Sequence, residues 1–229
     1  MLAPHTPQEI LSATPPAPGV LSGDQPFGSL TLPVALTASL RLTPEQFQRL
    51  CEANPEAVLE LAADGHVIAM TPTCGETSSR NSRLLIQLGI ALPSCDSPLR
   101  IFDSSGCFRL PDGSVRSPDA SLVLEERWQA LTAEQRRQFP PLCPDLVVEL
   151  VSPSDEEPSG LTALRQKMAT YQRNGARLGW LLIPAERAVE VWGPLAGGEQ
   201  GRRLEQATRL EGAPEFPGLS LDLEPIWAE

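Results

Sequence analysis

The spacing of apolar and polar residues predicts helices and a hairpin in the first part of the folded chain. A helix is expected in LTPEQFQRLCEANP, with Thr43 as its N-cap and Pro44 as its first residue. Two short apolar runs on either side of Asp64 and Gly65, in AVLELAADGHVIAMTP, predict a β-hairpin. The leucines of GETSSRNSRLLIQLGIALP then recur at helical spacing, and Pro93 ends that helix.

The later part of the chain adds strands around one more helix. Three strand-like runs, LRIFDSSGCFRL, VRSPDASLVL and DLVVELVS, precede LTALRQKMATYQRNG, whose apolar residues form one helical stripe that ends at Gly175. LGWLLIP and AVEVWGP predict two further strands. LEERWQALTAEQRRQF is expected to be an exposed helical insertion, and GLSLDLEPIW an irregular closing segment. This order of elements is typical of a mixed α/β fold.

The beginning of the chain has a different composition. Residues 1–40 are rich in Pro, Ser, Thr and Gly and have no sustained period, so we expect a mobile arm with at most a short strand near SLTLPVAL. Residues 41–229 are then expected to form a single domain. There is neither a membrane-length apolar run nor a signal-peptide pattern, so the expected compartment is the cytoplasm.

The cysteines and histidines disfavour several kinds of site. The five cysteines have no C-x-x-C spacing, which argues against a zinc knuckle or a disulfide framework. His5 and His66 are the only histidines, too few for a histidine-rich metal site or a Ser-His triad. Both are expected to be ordinary surface residues.

The charged residues carry two further indications. The formal net charge of −11 argues against non-specific coating of nucleic acid, which needs clustered Lys and Arg, although a local basic groove stays open. Of the 18 basic residues, Lys167 is the single lysine and all the others are arginine. A position that kept lysine in such a chain indicates a need for a compact ammonium whose pKa can shift.

A glutamate interrupts the apolar run of PDLVVELVSPSD. Both faces of the expected strand are apolar around Glu149, which is typical of a central strand. A buried, ionised carboxylate there needs a partner. Asp119, at the head of SPDASLVL, could lie opposite it on a neighbouring strand. Two carboxylates that close repel each other unless a proton or a divalent cation lies between them.

Lys167 is expected to reach over the sheet toward Glu149 from the following helix. Each of the three residues also has a purely structural interpretation. Asp119 would then cap a turn after Pro118, Glu149 would accept backbone hydrogen bonds, and Lys167 would be a surface lysine. Taken together they favour a functional site.

Five segments resemble a known family in sequence and order. LELAADGHVIAMTPTCGE, SPDASLV, PDLVVELVSPSD, LRQKMATYQRNGARLGWLLIP and VEVW, across roughly residues 55–195, are similar to the Uma-type family of predicted endonucleases. That family is a branch of the PD-(D/E)XK restriction-endonuclease-like superfamily. The resemblance implies an αβββαβ core with an extra N-terminal hairpin, in which Asp119 and Glu149 bind Mg²⁺ or Mn²⁺.

The resemblance also implies roles for other residues. The superfamily lysine normally follows the metal-binding glutamate by two residues, where this chain has Val151, and in this branch Lys167 would replace it. Glu76, at the start of the first core helix, and Glu60, in the hairpin, match further acidic positions and rank below the metal ligands.

Two positions depart from the family pattern: Thr77 stands where relatives tend to have histidine, and Ala185 where they tend to have aspartate. The first change would remove a secondary catalytic contact, and the second would alter a turn. The implied activity is metal-assisted hydrolysis of DNA phosphodiester bonds, with DNA as partner, no membrane association and a homodimer left open. The alternatives are a catalytically degenerate nuclease fold that serves as a binding or regulatory module, and a metal-dependent hydrolase of a smaller phosphate ester.

Overall fold

The structure, a computed structural model, describes residues 40–70, 75–194 and 201–228. Its helices are α1 Pro44–Ala53, α2 Gly75–Ala91, α3 Glu125–Ala130, α4 Ala133–Arg137, α5 Pro158–Arg173 and α6 Glu224–Trp227. Its strands are β1 Leu59–Leu61, β2 Val67–Ala69, β3 Leu99–Asp103, β4 Phe108–Arg109, β5 Val115–Arg116, β6 Ala120–Leu124, β7 Leu146–Leu150, β8 Leu178–Ile183, β9 Ala188–Trp192, β10 Arg202–Leu204, β11 Arg209–Glu211 and β12 Ser220–Asp222. The predicted arm, with its SLTLPVAL strand, lies outside the described residues apart from Leu40, and the arm and domain boundary stays a prediction.

The main sheet has six strands in the order β10-β9-β8-β7-β6-β3. Strands β7 and β8 are parallel and are joined through α5, while the other neighbouring pairs are antiparallel. Leu146 and Val148 of β7 pack with α2 on one face, and Val147 packs with α5 on the other. Strand β7 is therefore central and covered on both sides, as its apolar run predicts.

A smaller sheet, in the order β2-β1-β5-β4, packs against α1 through Phe47, Leu61 and Val115. The Thr43 capping box and Pro44 begin α1 as expected. The hairpin of β1 and β2 is also confirmed, with Gly65 at φ +84° in the left-handed region that glycine adopts most readily. This sheet carries Glu60 into the interior.

The closing segment corrects one expectation from the sequence. Residues 218–227 are not irregular: β12 pairs with β11, and α6 packs on α2. Leu221, Leu223 and Ile226 are fully buried in the same core as α2. The apolar alternation in LSLDL is a strand pattern, and burial of its leucines stabilises an element that sequence reasoning passed over.

The insertion between β6 and β7 is confirmed as two short helices, α3 and α4, but it is not wholly exposed. Trp128 and Leu131 pack against the core that contains α5. No helix among residues 40–70, 75–194 and 201–228 has the length and apolarity to cross a membrane.

Candidate functional site

Lys167 is the centre of a cluster of charged side chains between α5 and the two sheets. Its Nζ lies 2.8 Å from Oε1 of Glu60, 2.9 Å from Oε1 of Glu149 and 2.9 Å from the carbonyl oxygen of Ser117. An ammonium has three protons, so each contact can take one. The side chain is only 10% exposed, which excludes the surface-lysine interpretation.

Glu149 lies in β7 on the face covered by α5. Lys167 and Tyr171 are four residues apart on that helix, so both side chains reach the same carboxylate. The Tyr171 hydroxyl donates to Oε1 of Glu149 over 3.1 Å. Within the described residues, the hydrogen bonds and ion pairs of Glu149 all go to Oε1. Oε2 makes no hydrogen bond or ion pair with the described residues.

Glu60 reaches the cluster from the small sheet. Its Oε2 accepts a hydrogen bond from Nη1 of Arg116 at 2.9 Å, and its Oε1 accepts one from the backbone N–H of Ser117 at 2.9 Å. The residue is 2% exposed. Strand β5 supplies Arg116 and pairs with β1, which supplies Glu60. The pairing of these strands therefore brings the two charged side chains together.

Asp119 stands immediately before β6. The antiparallel register pairs Ala120 with Val148, so the next position along the two strands places Asp119 against Glu149. Its Oδ2 accepts the backbone N–H of Leu150 at 2.8 Å, and Nδ2 of Asn81 lies 3.4 Å from its Oδ1. Asp119 thus ends the ladder between β6 and β7 at the level of the cluster.

The pKa shifts in the cluster reflect burial first and neighbouring charges second. Burial raises the pKa of Glu149 to about 8. The charge of Lys167 opposes this shift, but the charges of Asp119 and Glu60 add to the effect of burial. Burial also raises the pKa of Asp119. Burial alone would raise the pKa of Glu60, but Lys167 and Arg116 together hold it below its usual value. Burial would lower the pKa of Lys167, yet the carboxylates raise it, so the ammonium stays charged.

Glu76 lies at the start of α2, as expected, but its surroundings differ from those of the cluster. Its carboxylate is 2.7 Å from Nη2 of Arg80, one helical turn further on, and its side chain is 48% exposed. This is an ion pair within one helix, between an exposed glutamate and a largely buried arginine. The structure gives Glu76 no contact with the Lys167 cluster in the described residues, and its catalytic role stays a prediction.

Arg116, Ser117 and Tyr171 belong to the cluster and were missed as site residues by sequence reasoning. Arg116 and Ser117 directly precede the Pro118-Asp119 pair, so a search of that strand end could have found them. Tyr171 follows Lys167 at helical spacing, and the pattern of LTALRQKMATYQRNG places it only on the apolar stripe of that helix. Tyr171 is fully buried, so both assignments hold at once: its ring packs and its hydroxyl meets Glu149.

The carboxylates fit a hard divalent cation. Mg²⁺ is usually held by one or two carboxylates, with waters and substrate phosphates as its other ligands. Asp119 and Glu149 supply two carboxylates of raised pKa, whose mutual repulsion a divalent cation would relieve. In the part of the chain that the structure describes, no group of three or more His, Cys, Asp or Glu residues could hold a metal ion. A site made by this pair therefore depends on water and substrate oxygens.

Comparison with known proteins supports the resemblance. Residues 44–224 match the family described as Uma2, putative restriction endonuclease. The fold is similar to the crystal structure of a putative nuclease belonging to DUF820 from Anabaena variabilis ATCC 29413, with a TM-score of 0.62 and 19% sequence identity. The similarity covers 81% of this chain and 97% of that one, and at this identity it shows the fold alone. No curated protein matches the chain. The predicted mixed α/β, nuclease-like fold is thereby confirmed.

Proposed function

The chain belongs to the Uma2 family of restriction-endonuclease-like proteins, and from this premise we propose that it is a metal-dependent endonuclease that hydrolyses DNA phosphodiester bonds. The observation that carries the proposal is the ion pair between the chain's single lysine, Lys167, and Glu149, at 2.9 Å. Asp119 occupies the neighbouring strand end, and its charge contributes to the raised pKa of Glu149. A buried cluster of this composition is common at active sites.

The residues of the cluster divide the work between them. Asp119 and Glu149 would hold Mg²⁺ or Mn²⁺, and the ion supplies polarisation of the scissile phosphate and acidification of the attacking water when bound. Tyr171 and Lys167 fix the orientation of the Glu149 carboxylate through Oε1. Glu60 and the Ser117 carbonyl in turn hold the ammonium in place.

Lys167 would stabilise the negative charge that develops on the phosphate. Because its three donors are all engaged, a phosphate oxygen must replace one of the present acceptors. The Ser117 carbonyl is the uncharged acceptor of the three, so we expect it to be the one that is exchanged.

Cleavage of supercoiled plasmid in Mn²⁺ tests the proposal. Wild type should nick the plasmid, and Glu149→Gln should abolish nicking. Lys167→Arg should lower the rate at least about a hundredfold, because a planar guanidinium cannot place one compact donor at the phosphate. Asp145→Asn is the matched control, since Asp145 is equally buried beside the same strand but pairs with Arg127.

Three results would decide the matter. Nicking that survives in Glu149→Gln would contradict the assigned site. Full activity in Lys167→Arg together with an inactive Glu149→Gln would keep the metal ligands and remove Lys167 from the mechanism. Loss in Asp145→Asn equal to that in Glu149→Gln would show that a buried acid matters only for folding.

The second candidate is a nuclease fold that has lost cleavage and serves as a binding or regulatory module. One observation favours it: every donor of Lys167 is already engaged within the protein. The resemblance adds that Thr77 stands at a position for which the family pattern implies histidine. Calorimetric titration with Mn²⁺ separates the two functions. The module predicts neither heat of binding nor nicking by wild type, whereas the endonuclease predicts both.

A further inference from the structure

A cleft of about 450 Å³ lies next to the cluster, between α1, the loop that follows β3, and the α3–α4 insertion. Its volume is within the range of small-ligand sites. Aromatic side chains make up much of its wall, and arginines stand beside them. The residues that matter here are Phe102, Trp128, Phe139, Arg136 and Arg137.

The aromatic wall is partly open to solvent. Trp128 is half-buried, whereas the other three tryptophans of the chain are buried in the core. The ring centroids of Phe102 and Trp128 are 5.0 Å apart with their planes inclined at 57°, and the Arg100 guanidinium lies 5.5 Å from the centroid of the Trp128 ring. A planar ligand that enters the cleft can stack on one of these two rings.

The arginines make the cleft locally basic in a chain of net charge −11. Glu52 is the one acid among the lining residues that the structure describes, against Arg136 and Arg137. Arg136 lies over the Trp128 ring at 6.0 Å, and its Nη2 donates to the carbonyl of Gln129 at 2.9 Å. Its Nε is buried and has no hydrogen-bond partner among the described residues. A shift of this side chain toward the cleft would let an acceptor of a ligand satisfy that donor.

Ser117 connects the cleft to the cluster. Oγ of Ser117 lies 2.5 Å from the carbonyl oxygen of Ser104 and 3.1 Å from that of Gly106, and Gly106 lines the cleft. The backbone of the same serine contacts the cluster, through its N–H to Glu60 and its carbonyl to Lys167. Ser117 is therefore the residue that separates Gly106, in the wall of the cleft, from Glu60 and Lys167 of the cluster.

We propose that this cleft binds one unpaired nucleotide of a single-stranded DNA segment that adjoins the cleaved phosphate, an inference that rests on the proposed function. Stacking on aromatic rings combined with arginine contacts is how proteins hold unpaired bases. A base within a duplex is stacked between its neighbours and cannot enter a cleft of this size. The acidic remainder of the surface favours a few local phosphate contacts over an extended duplex interface.

Binding of a fluorescein-labelled thymidine octamer to the full-length protein, in EDTA to prevent cleavage, tests the inference. The single strand should bind at least about tenfold more tightly than the same sequence in a duplex, since base stacking is available only to the former. Tryptophan fluorescence should be quenched on binding, and Trp128→Phe should remove the quenching. Equal affinity for the duplex, or quenching that persists in Trp128→Phe, would overturn the proposal.

The dependence of octamer binding on salt concentration tests whether the arginines of the cleft contact phosphates. Two phosphate contacts predict a slope of about −1.4 in a plot of log K against log salt concentration, and Arg137→Ala should reduce it to about −0.7. Arg202→Ala is the control, because Arg202 is equally exposed but lies on β10 at the edge of the main sheet. Equal changes in both variants would overturn the assignment of the cleft. Melting of each variant at the wild-type temperature shows that the exposed substitutions leave the fold intact.

Failure of this inference is distinguishable from failure of the proposed function. Single-strand binding that depends on Arg137, in a protein that never nicks plasmid, supports the cleft and removes the catalytic activity. Nicking that depends on Glu149, with octamer binding unaffected by Arg137→Ala and Trp128→Phe, keeps the endonuclease and removes the cleft.

Discussion

Two carboxylates at opposite ends of β7 are equally buried but have opposite surroundings. Asp145, just before the strand, and Glu149, near its end, are each 2% exposed. Asp145 accepts hydrogen bonds from Nη1 of Arg127 and from the backbone N–H of Leu124, both at 2.8 Å. At this end of β7, the charge of Arg127 balances the charge of Asp145. Glu149 instead shares Lys167 with Glu60.

The difference lies in the balance of charge around each acid. At the Glu149 end, Glu60, Asp119 and Glu149 face two cations, Lys167 and Arg116. Burial raises the pKa of Glu149 to about 8, and the charges of Asp119 and Glu60 add to its effect. Burial of a carboxylate alone therefore does not identify a functional acid. A surplus of like charge held in place by the fold is the better indication, because it gives a cation or a substrate something to neutralise.

Removing Lys167 from one end of β7 and Arg127 from the other should give the largest difference in the free energy of unfolding. Lys167→Met leaves the buried carboxylates of Glu60 and Glu149 without their shared partner, so we expect a loss of about 3–5 kcal/mol in the free energy of unfolding. Arg127→Met should cost less, since the Leu124 N–H still donates to Asp145 and Arg127 itself is 37% exposed. Urea denaturation of both variants measures the difference. Equal losses would show that the two ends do not differ in charge balance.

The second-largest difference between the two ends of β7 is expected in how much Mn²⁺ stabilises variants of each end. At a Mn²⁺ concentration about 100 times its dissociation constant, wild type should gain about 2.7 kcal/mol of stability. Glu149→Gln should lose this gain, and Asp145→Asn should keep it, because only the former removes a proposed ligand. Thermal melting with and without Mn²⁺ provides the measurement. A gain that persists in Glu149→Gln would place the metal elsewhere.

Tyr171→Phe tests how the Glu149 carboxylate is held. The substitution removes one buried hydrogen bond to Oε1 and leaves the ring packing, so we expect a loss of about 1–2 kcal/mol of stability. A purely structural role would change stability alone. If Tyr171 positions the carboxylate, Mn²⁺ affinity should fall as well, whereas an unchanged affinity in calorimetry would argue against positioning.

The sequence was informative wherever local pattern and composition were enough. The apolar faces on both sides of Glu149 predicted a central strand, and the scarcity of lysine directed attention to Lys167, whose ammonium does reach Glu149. The register of β6 and β7 then places Asp119 beside them. Period-2 and period-3.6 patterns determine which face of an element is buried, so such predictions need no knowledge of the tertiary structure.

Contacts between residues far apart in the chain could not be predicted from the sequence pattern. Glu60 ranked below the metal ligands, yet the pairing of β1 with β5 brings it to Arg116, 56 positions away. The match of Arg127 with Asp145, and the burial of the closing segment against α2, likewise depend on contacts between distant parts of the chain. No local period encodes which partner a buried charge will find.

The smallest expected effect is that of Arg127→Lys at the matched end. A lysine there can still donate to the Asp145 carboxylate and extend toward solvent, so charge balance is kept while one contact, to the carbonyl of Cys143, is weakened. We expect a loss below about 1 kcal/mol, which is the usual scale of one hydrogen bond. Urea denaturation beside Lys167→Met measures both changes under the same conditions. A loss as large as that of Lys167→Met would mean that the geometry of the guanidinium, and not the number of charges, stabilises Asp145, and the contrast between the two ends of β7 would then rest on shape instead of charge.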